Sequence, residues 1–88
     1  MLEKTLLITN ETGIHARPAA ALVKHAMRFE SDIHIHRGGN QYDAKSIMNV
    51  MSMGVRQGEE IRLVVKGPDE ALAFEELVEL IENNFKEA

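Results

Sequence analysis

Eighty-eight residues, 44% of them hydrophobic and 27% charged, suit one small globular domain spanning 1–88, of a size that buries roughly 60% of the surface its unfolded chain exposes. Fourteen acidic against ten basic residues leave a net charge of −4, which disfavours nucleic acid and anionic membranes as partners. Without cysteine there is no disulfide, thiolate metal site or thiol redox chemistry, and no apolar run approaches the roughly 18 residues of a membrane span, so a cytoplasmic protein is expected.

Leu2 to Ile8 is an apolar run closed by the turn-forming cluster Thr9-Asn10-Glu11-Thr12-Gly13, and a first strand is expected there. A helix from about 16 to 28 follows, with Ala19, Leu22, Val23, Ala26 and Met27 on one face and Lys24, His25 and Arg28 on the other. Ile33-His34-Ile35-His36 alternates with period two, Gly38-Gly39 supplies a tight turn, and Gln41 to Ala44 returns as a third strand. His34 and His36 point the same way, but no third ligand is placed to complete a metal site, so none is expected.

Ser46 before an apolar run and Gly54 after it bracket a short helix. Ile47, Met48 and Met51 make that helix more apolar than a surface helix needs, and its methionines divide between core and an adaptable contact patch. Ile61 to Val65 is a fourth strand with Ile61, Leu63 and Val65 inward. Asp69 is placed to cap a long helix whose stripe is read as Ala71, Phe74, Leu77, Val78, Ile81 and Phe85, with Glu75, Glu76, Glu79 and Glu82 as a solvated face. The order strand, helix, strand, strand, helix, strand, helix fits an α+β two-layer sandwich with its helices on a single face. Lys4, His34, His36 and Arg62 are expected on the open face of the sheet.

Chemistry concentrates in Thr12-Gly-Ile-His-Ala-Arg-Pro-Ala19. Pro18 is tolerated in the first turn of a helix, where a backbone N–H has no intrahelical partner, so His15 falls at the N-cap. The first N–H groups of that helix and its dipole favour an anion, and Arg17 brings a planar fork of donors suited to phosphate or carboxylate. His15 brings an imidazole, whose ring nitrogen can act as a nucleophile. No triad, metal-ligand set or Gly-rich phosphate loop accompanies it, so a self-contained enzyme with its own pocket is not indicated.

Together, Thr12 to Ala19 and Ala44-Lys-Ser-Ile-Met-Asn-Val-Met-Ser-Met-Gly54 resemble the two signature segments of the HPr family, histidine-containing phosphocarriers of the bacterial sugar phosphotransferase system. The resemblance covers essentially the whole chain. It implies an open-faced βαββαβα sandwich with a four-stranded antiparallel sheet in the order 1-4-2-3. It further implies that His15 accepts phosphate at Nδ1 from enzyme I and passes it to enzyme IIA components, with Arg17 as the site arginine and the backbone N–H groups of Ala16 and Arg17 as phosphate donors. No cofactor is implied.

Ser46 matches the family's regulatory serine, the target of an HPr kinase/phosphorylase whose product binds a catabolite control repressor. The adjoining Ile47-Met48 resembles the low-GC Gram-positive versions more than the enteric ones. Ala20, Ile47, Met48 and Met51 would be the partner contacts of a monomer. Asn49 stands where that pattern usually has glycine, and Met53 where it usually has leucine. A purely regulatory protein acting through phosphorylated Ser46 is the alternative.

Overall fold

Seven elements follow one another in the computed structural model, which describes residues 1–86: β1 (Leu2–Leu7), α1 (Ala16–Ala26), β2 (Asp32–Arg37), β3 (Asn40–Asp43), α2 (Ile47–Ser52), β4 (Glu60–Lys66) and α3 (Glu70–Glu82). The strands form one antiparallel sheet ordered β1-β4-β2-β3, as the resemblance implies. Period-two alternation decides its faces. Leu6, Ile33, Ile35, Ile61, Leu63 and Val65 point into the core, where Ala19, Leu22 and Ala26 of α1, Val50 of α2, and Ala73, Leu77, Leu80 and Ile81 of α3 cover them. Gly38 and Gly39, at φ 57° and 83°, make the two-residue β2–β3 turn that positive-φ glycines favour.

Lys4 does not stand on the open face of the sheet. Lys4 lies opposite Leu63, a core residue, and cross-strand partners share a face. It therefore stands on the helix side at the sheet edge, where its Nζ reaches the Glu82 carboxylate of α3 at 3.1 Å. His34, His36 and Arg62 do occupy the open face, with His36 Nδ1 3.3 Å from the Arg62 guanidinium.

Other expectations need correction on the helices. His25 faces α3 instead of solvent, with its Nδ1 2.7 Å from Glu76 Oε2, and Arg28 meets the same carboxylate at 3.3 Å. Glu76 and Glu82 therefore tie elements together, whereas Glu75 and Glu79 are exposed and, among the described residues, form no ion pair. Met27 caps a helix that ends at Ala26 and is exposed. On α3 the inward stripe is Ala73, Leu77, Leu80 and Ile81, with Phe74 and Val78 partly buried; Ala71 is exposed. The helix ends at Glu82, beyond which Asn84 and Phe85 take φ of 57° and 63° and turn the Phe85 ring back into the core.

Asp69 does not cap α3 with its side chain. Its carboxylate instead accepts from the backbone N–H groups of Glu30 and Ser31, both at 2.9 Å, and from the Ser31 hydroxyl. The donors that claim it belong to the α1–β2 connection, which no local pattern could place beside it. Ser31 is buried there, and these bonds, the hydroxyl's first, hold the Asp69 carboxyl below its ordinary pKa.

Candidate functional site

His15 is the N-cap of α1, with extended backbone at φ −119° and ψ −150°. Its carbonyl accepts from Ala19 N–H at 2.8 Å, while its exposed imidazole makes no capping hydrogen bond. Pro18 sits third in the helix and has no N–H to offer, so the unsatisfied donors of this first turn reduce to those of Ala16 and Arg17. No acidic residue stands in that turn, and among the described residues no carboxylate meets the exposed Arg17 guanidinium. The helix start thus presents two backbone donors and an arginine around a free imidazole, a set suited to a dianionic phosphoryl group.

The loop that delivers His15 is held firmly. Asn10 closes the turn from both ends, its Nδ2 donating to the Gly13 carbonyl at 2.6 Å while its own carbonyl accepts from Gly13 N–H at 3.0 Å. Gly13 has a φ of 65°, and a side chain there would run into the Val55 carbonyl, which accepts from Ile14 N–H at 3.0 Å. Gln57 adds a bond to the Thr9 carbonyl at 3.0 Å, and Thr9 Oγ1 lies 2.6 Å from Asn84 Oδ1.

His15, Arg17 and Ala20 line one shallow depression of about 900 Å³ with Asn10, Thr12, Lys24, Asn84, Phe85 and Lys86. Residues 84–86 were missed in the sequence because about seventy positions separate them from the motif. The available signal was Asn83-Asn84 after the amphipathic stripe, since asparagine tolerates the left-handed conformation that ends helices.

Ser46, Ile47, Met48 and Met51 do not line that depression. They lie on or beside α2, which packs against α1. Ser46 is the N-cap expected: its Oγ accepts from Asn49 N–H at 3.2 Å, and its carbonyl accepts from Val50 N–H at 2.9 Å. Lys45 ties this start to the α1–β2 connection by donating from Nζ to the Phe29 carbonyl at 2.6 Å. Asn49 folds back, its Oδ1 accepting from Asp43 N–H at 3.1 Å, so the residue acts as a local brace. The methionines divide as their spacing allowed: Met53 is core, whereas Met48 and Met51 are exposed together with Ile47.

Residues 2–83 match the family model described as PTS HPr component phosphorylation site. The phosphocarrier protein HPr of Treponema pallidum (strain Nichols) is 46% identical over 87 residues, 99% of each chain. The HPr-like protein Crh of Halalkalibacterium halodurans is 44% identical over 82 residues, 93% of this chain and 98% of that protein. Among solved structures, HPr-C-His from Thermoanaerobacter tengcongensis matches with a TM-score of 0.94 at 46% identity, covering 100% of this chain and 99% of that one. An HPr dimer from the same organism matches with a TM-score of 0.78 at 47% identity, covering 99% and 100%.

Proposed function

The chain belongs to the HPr family of phosphotransferase-system phosphocarriers, and from that premise we propose that it is a cytoplasmic relay that takes a phosphoryl group from phospho-enzyme I on His15 and hands it to sugar-specific enzyme IIA components. The observation that carries the reading is the start of α1: an exposed, uncapped imidazole at the N-cap, two backbone donors left open, no carboxylate in the first turn, and Arg17 beside them.

The chemistry follows from that arrangement. The lone pair of His15 Nδ1 attacks phosphorus as the bond that holds the phosphoryl group on enzyme I breaks, and the enzyme I group leaves with the bonding pair. Charge spreads over the phosphoryl oxygens in such a transfer, so positioned donors are the main help a protein supplies. The N–H groups of Ala16 and Arg17 and the Arg17 guanidinium are those donors. An exposed helix start contributes about 0.3–1 kcal/mol to holding an anion, weak enough for the phosphate to leave again. An open depression, without a closed pocket, lets donor and acceptor proteins reach the same atom in turn.

Ala20, Ile47, Met48 and Met51 form the proposed docking surface beside this centre, on the exposed sides of two helices that pack together. Ser46 is the proposed regulatory site of an HPr kinase/phosphorylase. Its phosphate would sit at the start of α2 and hinder enzyme I docking by charge and bulk, and a catabolite control repressor is the proposed reader of that form. The working unit is proposed to be a monomer, since one surface must meet several partners successively.

Similarity to Crh, which in Bacillus subtilis is a catabolite repression HPr, supports a second reading, in which the chain is regulatory and acts through Ser46 alone. His15 in its uncapped position favours the relay. Incubation with phosphoenolpyruvate and enzyme I separates the two: the relay gives an acid-labile phosphate lost in His15→Ala, whereas an acid-stable product, or labelling that survives His15→Ala, contradicts it.

A further inference from the structure

The chain has no cysteine, so its five methionines carry all of its sulfur, and three of them fall within six residues at α2. Burial separates those three. Met48 is 77% exposed and Met51 47%, whereas Met53, two positions on, is 3% exposed and part of the core. Met1 and Met27 are exposed as well, but Met27 closes the far end of α1 from His15. α2 carries no charged residue, and besides the polar Asn49 and Ser52 its exposed side chains are Ile47 and the thioethers of Met48 and Met51.

We propose that Met48 and Met51 form an oxidation site through which peroxide lowers the chain's capacity to accept phosphate; this rests on the reading that α2 belongs to the docking surface. In the step, a terminal oxygen of hydrogen peroxide is transferred to the thioether sulfur. The O–O bond breaks, sulfur loses two electrons to become a sulfoxide, and the peroxide leaves as water. A thiol-dependent sulfoxide reductase reverses it, with two thiols becoming a disulfide and the oxygen leaving as water. The sulfoxide turns a flexible apolar contact into a polar one that must be desolvated when a partner docks, whereas buried Met53 is shielded and the fold persists.

The test treats the full chain with hydrogen peroxide, maps sulfoxides by peptide mass spectrometry, and measures the rate of labelling from phosphoenolpyruvate through enzyme I. Met48 and Met51 should be oxidised while Met53 is spared, and the rate should fall by about tenfold, the order expected for burying one unpaired polar group. Methionine sulfoxide reductase with dithiothreitol should restore it. Met48→Leu/Met51→Leu still carries Met1 and Met27, and should keep its own untreated rate after peroxide. An oxidised chain labelled as fast as the reduced one, or an equal fall in the double variant, overturns the proposal alone. Failure of the reduced chain to take any label overturns the phosphocarrier reading and this proposal with it.

Discussion

The backbone of Gly13 passes so close to the Val55 carbonyl that a side chain there would occupy the same space, and the next residue, Ile14, donates to that carbonyl at 3.0 Å. The loop carrying His15 is thereby seated on the segment that leaves α2, so the first signature segment is held by backbone to the residues that directly follow the second. Gly13→Ala combines a left-handed alanine with a clash against backbone, and a loss of about 2–5 kcal/mol is expected. Urea denaturation measures the loss. A variant that still folds at low temperature should accept phosphate more slowly, because the start of α1 is displaced.

Arg17→Ala should separate transfer from stability. The side chain is exposed and, among the described residues, meets no carboxylate, so the melting temperature should stay within about 4 °C. A hydrogen bond to a charged group contributes about 1.5–3 kcal/mol, so the transfer rate should fall roughly 10- to 100-fold. Stopped-flow or quench-flow labelling by phospho-enzyme I checks this, and an unchanged rate would remove Arg17 from the site.

Ser46 permits a paired comparison. Ser46→Ala removes the acceptor of Asn49 N–H and should cost about 1 kcal/mol, while Ser46→Asp retains a cap and adds a negative charge at the helix start, leaving stability near that of the parent. Transfer should order the other way: Ser46→Ala close to the parent, Ser46→Asp slowed. Thermal melts and labelling rates on the same two samples test both halves.

Acid stability should depend on Asp69. Its carboxyl is held below its ordinary value first by the Ser31 hydroxyl and then by the Glu30 N–H, so the folded state binds its proton less readily than the unfolded chain does. The stabilisation is thus fully present above the unfolded value of about 3.9 and is lost as the pH falls through the depressed folded value. Glu59, held down first by Arg56 N–H, and Glu70, held down first by Gly67 N–H, act in the same direction. Asp69→Asn should be less stable at pH 7 and lose less between pH 5 and pH 2. Urea midpoints across that range measure the slope, and parallel curves for variant and parent would contradict the assignment.

Much of this was legible in the sequence, and the exceptions share a cause. Alternation at Ile33-His34-Ile35-His36, paired glycines at 38 and 39, and a serine ahead of Ile47 are local signals, and β2, its hairpin and the α2 cap followed them. His15 at a helix start was likewise a local inference from Pro18 and the stripe after it. Lys4, His25 and Asp69 went elsewhere because each found a partner far away in the chain, at Glu82, Glu76 and Ser31 respectively. On α3 the stripe holds at Leu77, Ile81 and Phe85, with Phe74 and Val78 packed against the core, and departs only at Ala71, because leucine, alanine and phenylalanine crowd 71–85 and fit more than one helical face. Only the sheet beneath selects Ala73 and Leu80.

The most direct test of the central claim is a ¹H–¹⁵N NMR comparison of the chain before and after phosphorylation by enzyme I and phosphoenolpyruvate. Phosphate is expected on Nδ1 of His15, with downfield shifts confined chiefly to the amides of Ala16 and Arg17 and α1 otherwise unchanged. Phosphate on another residue, or a phosphorylated His15 with the Ala16 and Arg17 amides unmoved, would contradict it.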